Sequence, residues 1–316
     1  MRQTVLSTAL ALLFSTGLFA ADSQLMNLVM PDAQVMGGIN VTTAKTSPFG
    51  QFLLTQIAAQ GGQQFETLAT LTGFDPRRDL VEVLAASSGS AAGMKNVLVL
   101  AKGTFNVSQL TDALLKDGHG TQVTTYQGAT IISGSHGKDQ GAVAFLGTSI
   151  AIAGDPDAVK AGVDRSSRTN SVSPALAAKV ALLSASQDAW AVSLEAVSAM
   201  TSKATTPATG PAAQAAQFLK SIQAANGGIK FGSLIVVTAQ AIATDVKSAG
   251  ALADVVRMFA GLAVLNGQKD SQAAQILQSL KVSTDGVAVN LSLSLAENDA
   301  EQLLKLGPQA QTRHGN

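Results

Sequence analysis

The chain has no cysteine among its 316 residues. That excludes a disulfide framework and a lipid anchor on cysteine, so the fold must stand on an ordinary apolar core. Aromatic residues make up only 4%, and Trp190 and Tyr126 are the sole residues of their types. Sugar and base platforms are built from such rings, so carbohydrate and single-stranded nucleic-acid binding lose their usual means. Charge is also scarce, at 13% of residues, and balanced at 21 basic against 21 acidic. No basic cluster occurs, so neither nucleic acid nor an anionic membrane surface is an expected partner. Past the first twenty residues no apolar run has the length of a transmembrane helix; Leu234–Val237, the longest of the second half, has the size of a strand.

What is present begins at the N-terminus. Arg2 gives a small positive start, Val5 to Leu13 with Phe14 is an apolar stretch, and Gly17-Leu18-Phe19-Ala20 ends on a small residue. This is the layout of a secretory signal peptide over residues 1–20. Cleavage is expected after Ala20, with Ala21 as the alternative site; a retained membrane anchor is the competing reading. Loss of Arg2 leaves 20 basic against 21 acidic residues, a net charge of −1. The mature chain is expected in the periplasm or outside the cell, with no stable membrane anchor. Its wealth of Ala, Ser, Gly, Thr and Gln suits a bacterial envelope protein.

One stretch sets the pattern for the rest. In Gly141–Arg165, two apolar runs, Ala142–Leu146 and Ile150–Ala153, flank Gly147-Thr148-Ser149, which predicts a β-hairpin. Asp155-Pro156-Asp157 then opens a helix: a capping acceptor, a residue without the N–H that would go unpaired, and an acid at the positive end of the dipole. Similar signals recur along the chain. Gln34–Val41 is expected to be a strand, with Gly37-Gly38 marking a bulge. Ser47-Pro48 starts a helix carrying Phe49, Phe52, Leu53 and Ile57 on one face, and Gly73 ends the helical pattern. Leu80–Ala86 and Asn96–Lys102 are expected strands around a flexible loop at Ser87–Gly93. Helix Val107–Lys116 follows a cap at Asn106. Gln122–Tyr126 and Ala129–Ser133 form a hairpin, and Gly134–Asp139 is read as a loop.

After a polar join at Ser166–Ser173, a second Ser-Pro pair starts helix Ala175–Ser184, and Asp188–Leu194 is a strand. Met200–Pro211 reads as a loop. Gln214–Ala225 is expected to be a helix ended by Gly227-Gly228, followed by strands Ile229–Thr238 and Ala241–Val246. Helix Ala249–Leu265 should bury Leu252, Val255, Phe259 and Leu262. Ser271–Leu280 is a further helix, Val282–Leu295 a hairpin turning at Asp285-Gly286, and Glu297–Leu306 the last helix.

The predicted fold is α+β: antiparallel sheet with helices packed mainly on one face. Gln51-Phe52-Leu53 is echoed by Gln217-Phe218-Leu219, and Gly61-Gly62 by Gly227-Gly228. The reading is therefore a tandem pseudo-repeat of two units, 21–165 and 166–306, with one continuous sheet possible, and 307–316 as a disordered tail. SPFG at Ser47–Gly50, TGFDPRRDL at Thr72–Leu80 and AGDPDAVKAGVD at Ala153–Asp164 resemble elements of uncharacterised exported bacterial proteins of this size. The resemblance implies export and an unassigned role, and brings no catalytic residues with it.

Candidate chemistry is sparse. Arg77 and Arg78 between Asp75 and Asp79 could clamp an anion, but an Asp-Pro turn with local ion pairs is the favoured reading. His119 and His136 flank a hairpin near Asp117 and Asp139, yet no HxxH or HExxH spacing occurs, and solvated loops are favoured over a metal site. His314 lies in the tail. Ser135-His136-Gly137-Lys138 matches Ser-x-x-Lys, but its partner motifs and the helix that the chemistry needs are missing. No Walker or dinucleotide-binding glycine motif follows a strand. No catalytic, cofactor-binding or metal-binding residue is therefore assigned, and no cofactor is expected. The first functional reading is a non-enzymatic envelope protein that binds a protein partner or sits in an assembly. The second is a carrier of an apolar small ligand, enclosed between sheet and helices. The third is a hydrolase with a site scattered over Ser, Asp and Lys.

Overall fold

The structure, a computed structural model, describes residues 21–60, 69–89, 96–116, 121–136, 139–169, 172–196, 220–266 and 276–306. The expected signal peptide, the Met200–Pro211 loop and the tail lie outside these residues.

Polar residues cap the helix starts, Asp155 and Ser173 where the sequence places a helix, whereas the short helices at Ser23–Leu28, Val41–Thr46 and Pro76–Asp79 are not read from the sequence. Helix α1 (Ser23–Leu28) opens under the Asp22 carboxylate, which accepts from the Gln24 and Leu25 amides. Strand β1 (Val35–Asn40) stops one residue short of expectation, because Asn40 accepts from Thr43 N and starts α2 (Val41–Thr46). Helix α3 is Pro48–Gln60. A helical turn at 69–72 ends on Gly73 at φ +67, and Asp75-Pro76 opens the short α4 (Pro76–Asp79). Strands β2 (Leu80–Ser87) and β3 (Leu98–Gly103) precede α5 (Val107–Lys116). Strands β4 (Gln122–Tyr126) and β5 (Ala129–His136) join through Gln127-Gly128, both at positive φ, as a two-residue hairpin turn requires. Strands β6 (Asp139–Leu146) and β7 (Ile150–Gly154) lead into α6 (Pro156–Arg165), capped by Asp155. The second half contains α7 (Pro174–Ser186, capped by Ser173), β8 (Ala189–Ser193), β9 (Ile222–Lys230), β10 (Leu234–Ala243), α8 (Val246–Asn266), β11 (Lys281–Asp285), β12 (Ala288–Ala296) and α9 (Glu297–Leu306).

Several expectations are corrected. Residues 222–225 are strand, so the helix read over Gln214–Ala225 does not extend to its end, and Gly227-Gly228 lie inside β9. A Cβ on Gly227 would stand 2.5 Å from Thr238 O, and one on Gly228 2.5 Å from Gln187 Cγ, so these glycines admit close neighbours. Strand β10 runs unbroken through residues 239–240, where a turn was expected, and the reversal falls at 231–233 instead. Gly37-Gly38 form no bulge: β1 keeps register with both neighbours, and a Cβ on Gly38 would meet the Trp190 ring and Leu84 at 2.7 Å. The loop read at Gly134–Asp139 is largely a continuation of β5 and β6, paired out to His136–Asp139.

The twelve strands of the described residues form one sheet, in the order β11-β12-β10-β9-β8-β1-β2-β3-β7-β6-β5-β4, with every pairing antiparallel. The α+β class and the antiparallel sheet are as the sequence predicts. Strands of residues 21–165 fill one side and those of 166–306 the other, and the sides meet where β1 pairs β8. The described elements follow the same order in each half: helix, strand, two further strands of which the first pairs antiparallel with it, helix, a hairpin whose last strand pairs back, helix. The first half inserts the β4–β5 hairpin.

The helices divide between the two faces. Strand β3 shows why: Leu98 and Leu100 are buried on one face, while Val99 and Ala101 present apolar surface on the other, so both faces need cover. On the first face, α1, α6 and α7 seal a core of Leu25, Leu28, Met36, Leu84, Ile152, Val159, Leu176 and Trp190. On the opposite face, α3 and α9 cover Phe231, Ile235 and Leu295, and α8 covers Ala243 and Val289. Helix α7 packs on β8 and β9 of its own half while its Leu176 and Val180 join the core that the first half contributes to, and α3 from the first half covers strands of the second. Leu252 is buried under α8, but Phe259 and Leu262, expected beneath it, are 39% and 42% exposed.

Candidate functional site

An apolar hollow lies on the α3 side of the first half. Its floor is the sheet: Ile39 of β1, Val83 of β2, Val99 and Ala101 of β3, Ala151 and Ala153 of β7, Val143 and Phe145 of β6. Leu54 of α3 closes one flank, Phe74, Pro76 and Arg77 a second, and Phe105 and Leu110 a third. The volume is about 670 Å³, within the roughly 300–1,000 Å³ range of small-molecule sites. The space has a simple origin. Alternation puts small Ala101, Ala151 and Ala153 side by side on adjacent strands, where bulkier residues would have filled the gap under the helices.

One wall is rigid. Phe74 stacks on Phe105 at 5.5 Å between ring centroids, and Phe105 packs against Phe145 at 5.5 Å and 56°. Phe105 and Phe145 are buried, whereas Val99 is 40% exposed, which shows that the hollow is open to entry. Arg77 is the one charged residue among the lining residues. Its guanidinium pairs with Asp75 at 3.0 Å, and Arg78 pairs with Asp79 at 2.7 Å. Hydrogen bonds from these arginines hold both carboxyls below their ordinary range, against the smaller upward push of burial. Both arginines are therefore committed to local carboxylates, and the turn also supplies a rim for the apolar hollow.

A second, smaller pocket lies on the opposite face at the β1–β2–β3 end, about 240 Å³ in volume. Asp22, Asn40, Glu82, Lys102, Ser184, Gln187, Asp188 and Trp190 line it. Lys102 bonds to the Asp22 carboxylate, and the Glu82 carboxylate accepts from Asp22 N at 3.2 Å. Burial, the main influence, pushes Glu82 up to about 7, with the neighbouring Asp22 charge adding to the rise and the Asp22 amide and Lys102 opposing it. Asp188 is 4% exposed, pairs with Lys230 at 2.9 Å and accepts from Phe231 N at 2.7 Å. Sequence reasoning passed over this cluster. The available signal was a charge at an inward position of an apolar alternation: Glu82 shares its face with Leu84, and Lys102 with Leu100.

Of the other residues weighed from sequence, His119 and His314 lie outside the described residues. His136 closes β5 opposite Asp139 in register, with both side chains outside the described set. Among the described residues no group of three or more His, Cys, Asp or Glu could hold a metal ion. Ser135 pairs with Gln140 inside the β5–β6 ladder, away from the helix start that a Ser-x-x-Lys nucleophile needs. Lys138 lies outside the described residues.

No family model and no curated protein matches this chain. Two solved structures do, both of the protein TP0453. Its crystal form III superposes with a TM-score of 0.54 at 10% identity, covering 89% of this chain and 97% of that one. Crystal form IV gives 0.50 at 9% identity, covering 90% and 97%. At these identities the likeness concerns the fold, which spans nearly the whole of both chains.

Proposed function

We propose that this chain is an exported, non-enzymatic binding protein that carries an apolar ligand, or the apolar tail of an amphiphile, in the hollow between α3, α5 and the sheet. The single observation behind this reading is the hollow itself: about 670 Å³, floored by aliphatic side chains and walled by Phe74, Phe105 and Phe145. A packed core at that position would have opposed it. Export follows from the residue 1–20 signal pattern, and a periplasmic or extracellular carrier suits a chain in which, among the described residues, no helix is long and apolar enough to cross a membrane. The shared path of the two halves supports a tandem pseudo-repeat of units 21–165 and 166–306. The hydrolase reading gains little from the polar pocket, since the Ser184 hydroxyl donates to Val180 O at 2.7 Å.

The test is native mass spectrometry of the mature chain from its own envelope fraction, with titration by a fluorescent fatty acid. Saturable binding at micromolar concentration is expected, and Ala101→Phe, which fills the floor, should weaken it at least tenfold while the chain stays folded. No bound mass together with non-saturable fluorescence would remove the proposal. The exposed apolar side chains Met258, Phe259 and Leu262 on α8 favour a second reading, a protein partner in the envelope. Cross-linking from Leu262 that traps one discrete partner would support it.

A further inference from the structure

We infer that the α-ammonium group created by cleavage after Ala20 is received by the polar pocket at Ser184 and Glu82, so that removal of the signal completes the charge balance of that pocket. The inference rests on the reading of residues 1–20 as a cleaved signal, and is independent of the apolar ligand.

The geometry brings the nitrogen to the pocket. Ala21 N donates to Ser184 Oγ at 2.9 Å, and the next nitrogen, Asp22 N, lies 3.3 and 3.2 Å from the two Glu82 carboxylate oxygens. Successive backbone nitrogens are at most about 3.7 Å apart, so the Ala21 nitrogen sits within about 7 Å of that carboxylate. In the unprocessed chain this nitrogen is an amide with one hydrogen and no charge. After cleavage it is an ammonium with three hydrogens and a unit charge. The pocket has acceptors to match. Gln187, a lining residue, has its Oε1 buried with no hydrogen-bond partner, and Ser184 Oγ and Glu82 are already in place.

The charges show why a cation is wanted. Four ionisable groups face this space: Asp22 before α1, Glu82 on β2, Lys102 on β3 and Asp188 before β8. Lys102 bonds to Asp22, and Asp188 is matched by Lys230. Among the described residues, Glu82 has the Asp22 amide but no ion pair of its own. Burial therefore keeps it partly protonated near neutrality, at about 7 against an ordinary 4.5. A carboxyl whose folded pKa is raised favours the folded state only while protonated. Its contribution is present below the unfolded value and is lost as pH rises through the folded value, here between 4.5 and about 7. An ammonium beside it reverses that loss by favouring the carboxylate.

The experiment compares two forms of the mature chain, one with a free Ala21 amine and one with the same amine acetylated, by thermal unfolding from pH 4.5 to 9.5. Near pH 7.5 the acetylated form should melt about 1.5–2 °C lower, the shift expected for roughly 1 kcal/mol in a chain of about 300 residues. The gap should close below about pH 5, where Glu82 is protonated in the blocked form, and again above about pH 9, where the amine loses its proton. It should vanish in Glu82→Gln. Equal melting at every pH would overturn the inference, as would a pH-independent gap that persists in Glu82→Gln, since that reports crowding by the acetyl group. The N-terminal mass of the exported chain tests the premise separately: a start other than Ala21 overturns the inference whatever the melting curves show.

Discussion

Gly38 and Trp190 are partners across the β1–β8 pairing, and the one exists in its form because of the other. The indole fills the space that a side chain on Gly38 would need, and is itself 7% exposed. In Gly38→Ala the new methyl would meet the indole and Leu84 at 2.7 Å, with sheet on either side and little room to yield. Overpacking of this kind costs about 1–3 kcal/mol, and urea unfolding followed by Trp190 fluorescence should show that loss. From sequence the Gly37-Gly38 pair reads as a bulge, because glycine in a strand has several causes and the side chain responsible lies about 150 residues away in sequence. Glu82 and Lys102 pose the same difficulty. Alternation assigns them to the face of Leu84 and Leu100, but their burial depends on α1 and α7 arriving from elsewhere.

Elements whose starts are decided locally were legible. Asp155-Pro156 and Ser173-Pro174 each open a helix where the sequence places one, since a cap needs only its own first turn, whereas Asp75-Pro76, read as a turn, opens a helix of a single turn. Asp155 accepts from Asp157 N at 3.0 Å, while Val159 and Val163 of the same helix are buried against β6 and β7. Asp155→Ala should therefore destabilise the chain by about 1 kcal/mol, measured by chemical denaturation, with the fold intact because the buried stripe remains. Strand limits within the second half were less legible. Ile222–Ala225 reads as helix from its apolar spacing, yet it pairs with β10 on one side and contributes Ala225 to the pairing with β8 on the other. Tertiary pairing overrides local preference there. The apolar hollow was legible only as a possibility. Phe74, Phe105 and Phe145 belong to separate elements, and no periodicity announces that three alanines on neighbouring strands leave space between them.

At the scale of the whole molecule, the boundary between the two halves in sequence is not a boundary in packing. The core of the first face combines Leu25, Met36 and Leu84 with Leu176, Val180 and Trp190 from beyond residue 166. The core of the opposite face sets Ala44 and Phe49 against Phe231, Ile235 and Leu295, with Phe49 and Phe231 edge to face at 5.8 Å. Both cores therefore draw on both halves, α3 crosses onto strands of the second, and the β1–β8 ladder joins the two sides of the sheet. Opening either half would strip apolar cover from the other and expose a central strand edge, which is costly in water. The chain is expected to unfold in one cooperative transition. Trp190 reports from the seam and far-ultraviolet circular dichroism from the whole sheet, so the two urea curves should superimpose. A two-step dichroism curve with fluorescence following only one step would mean that the halves hold their cores separately, and that the apolar residues shared between them contribute less to stability than their burial implies.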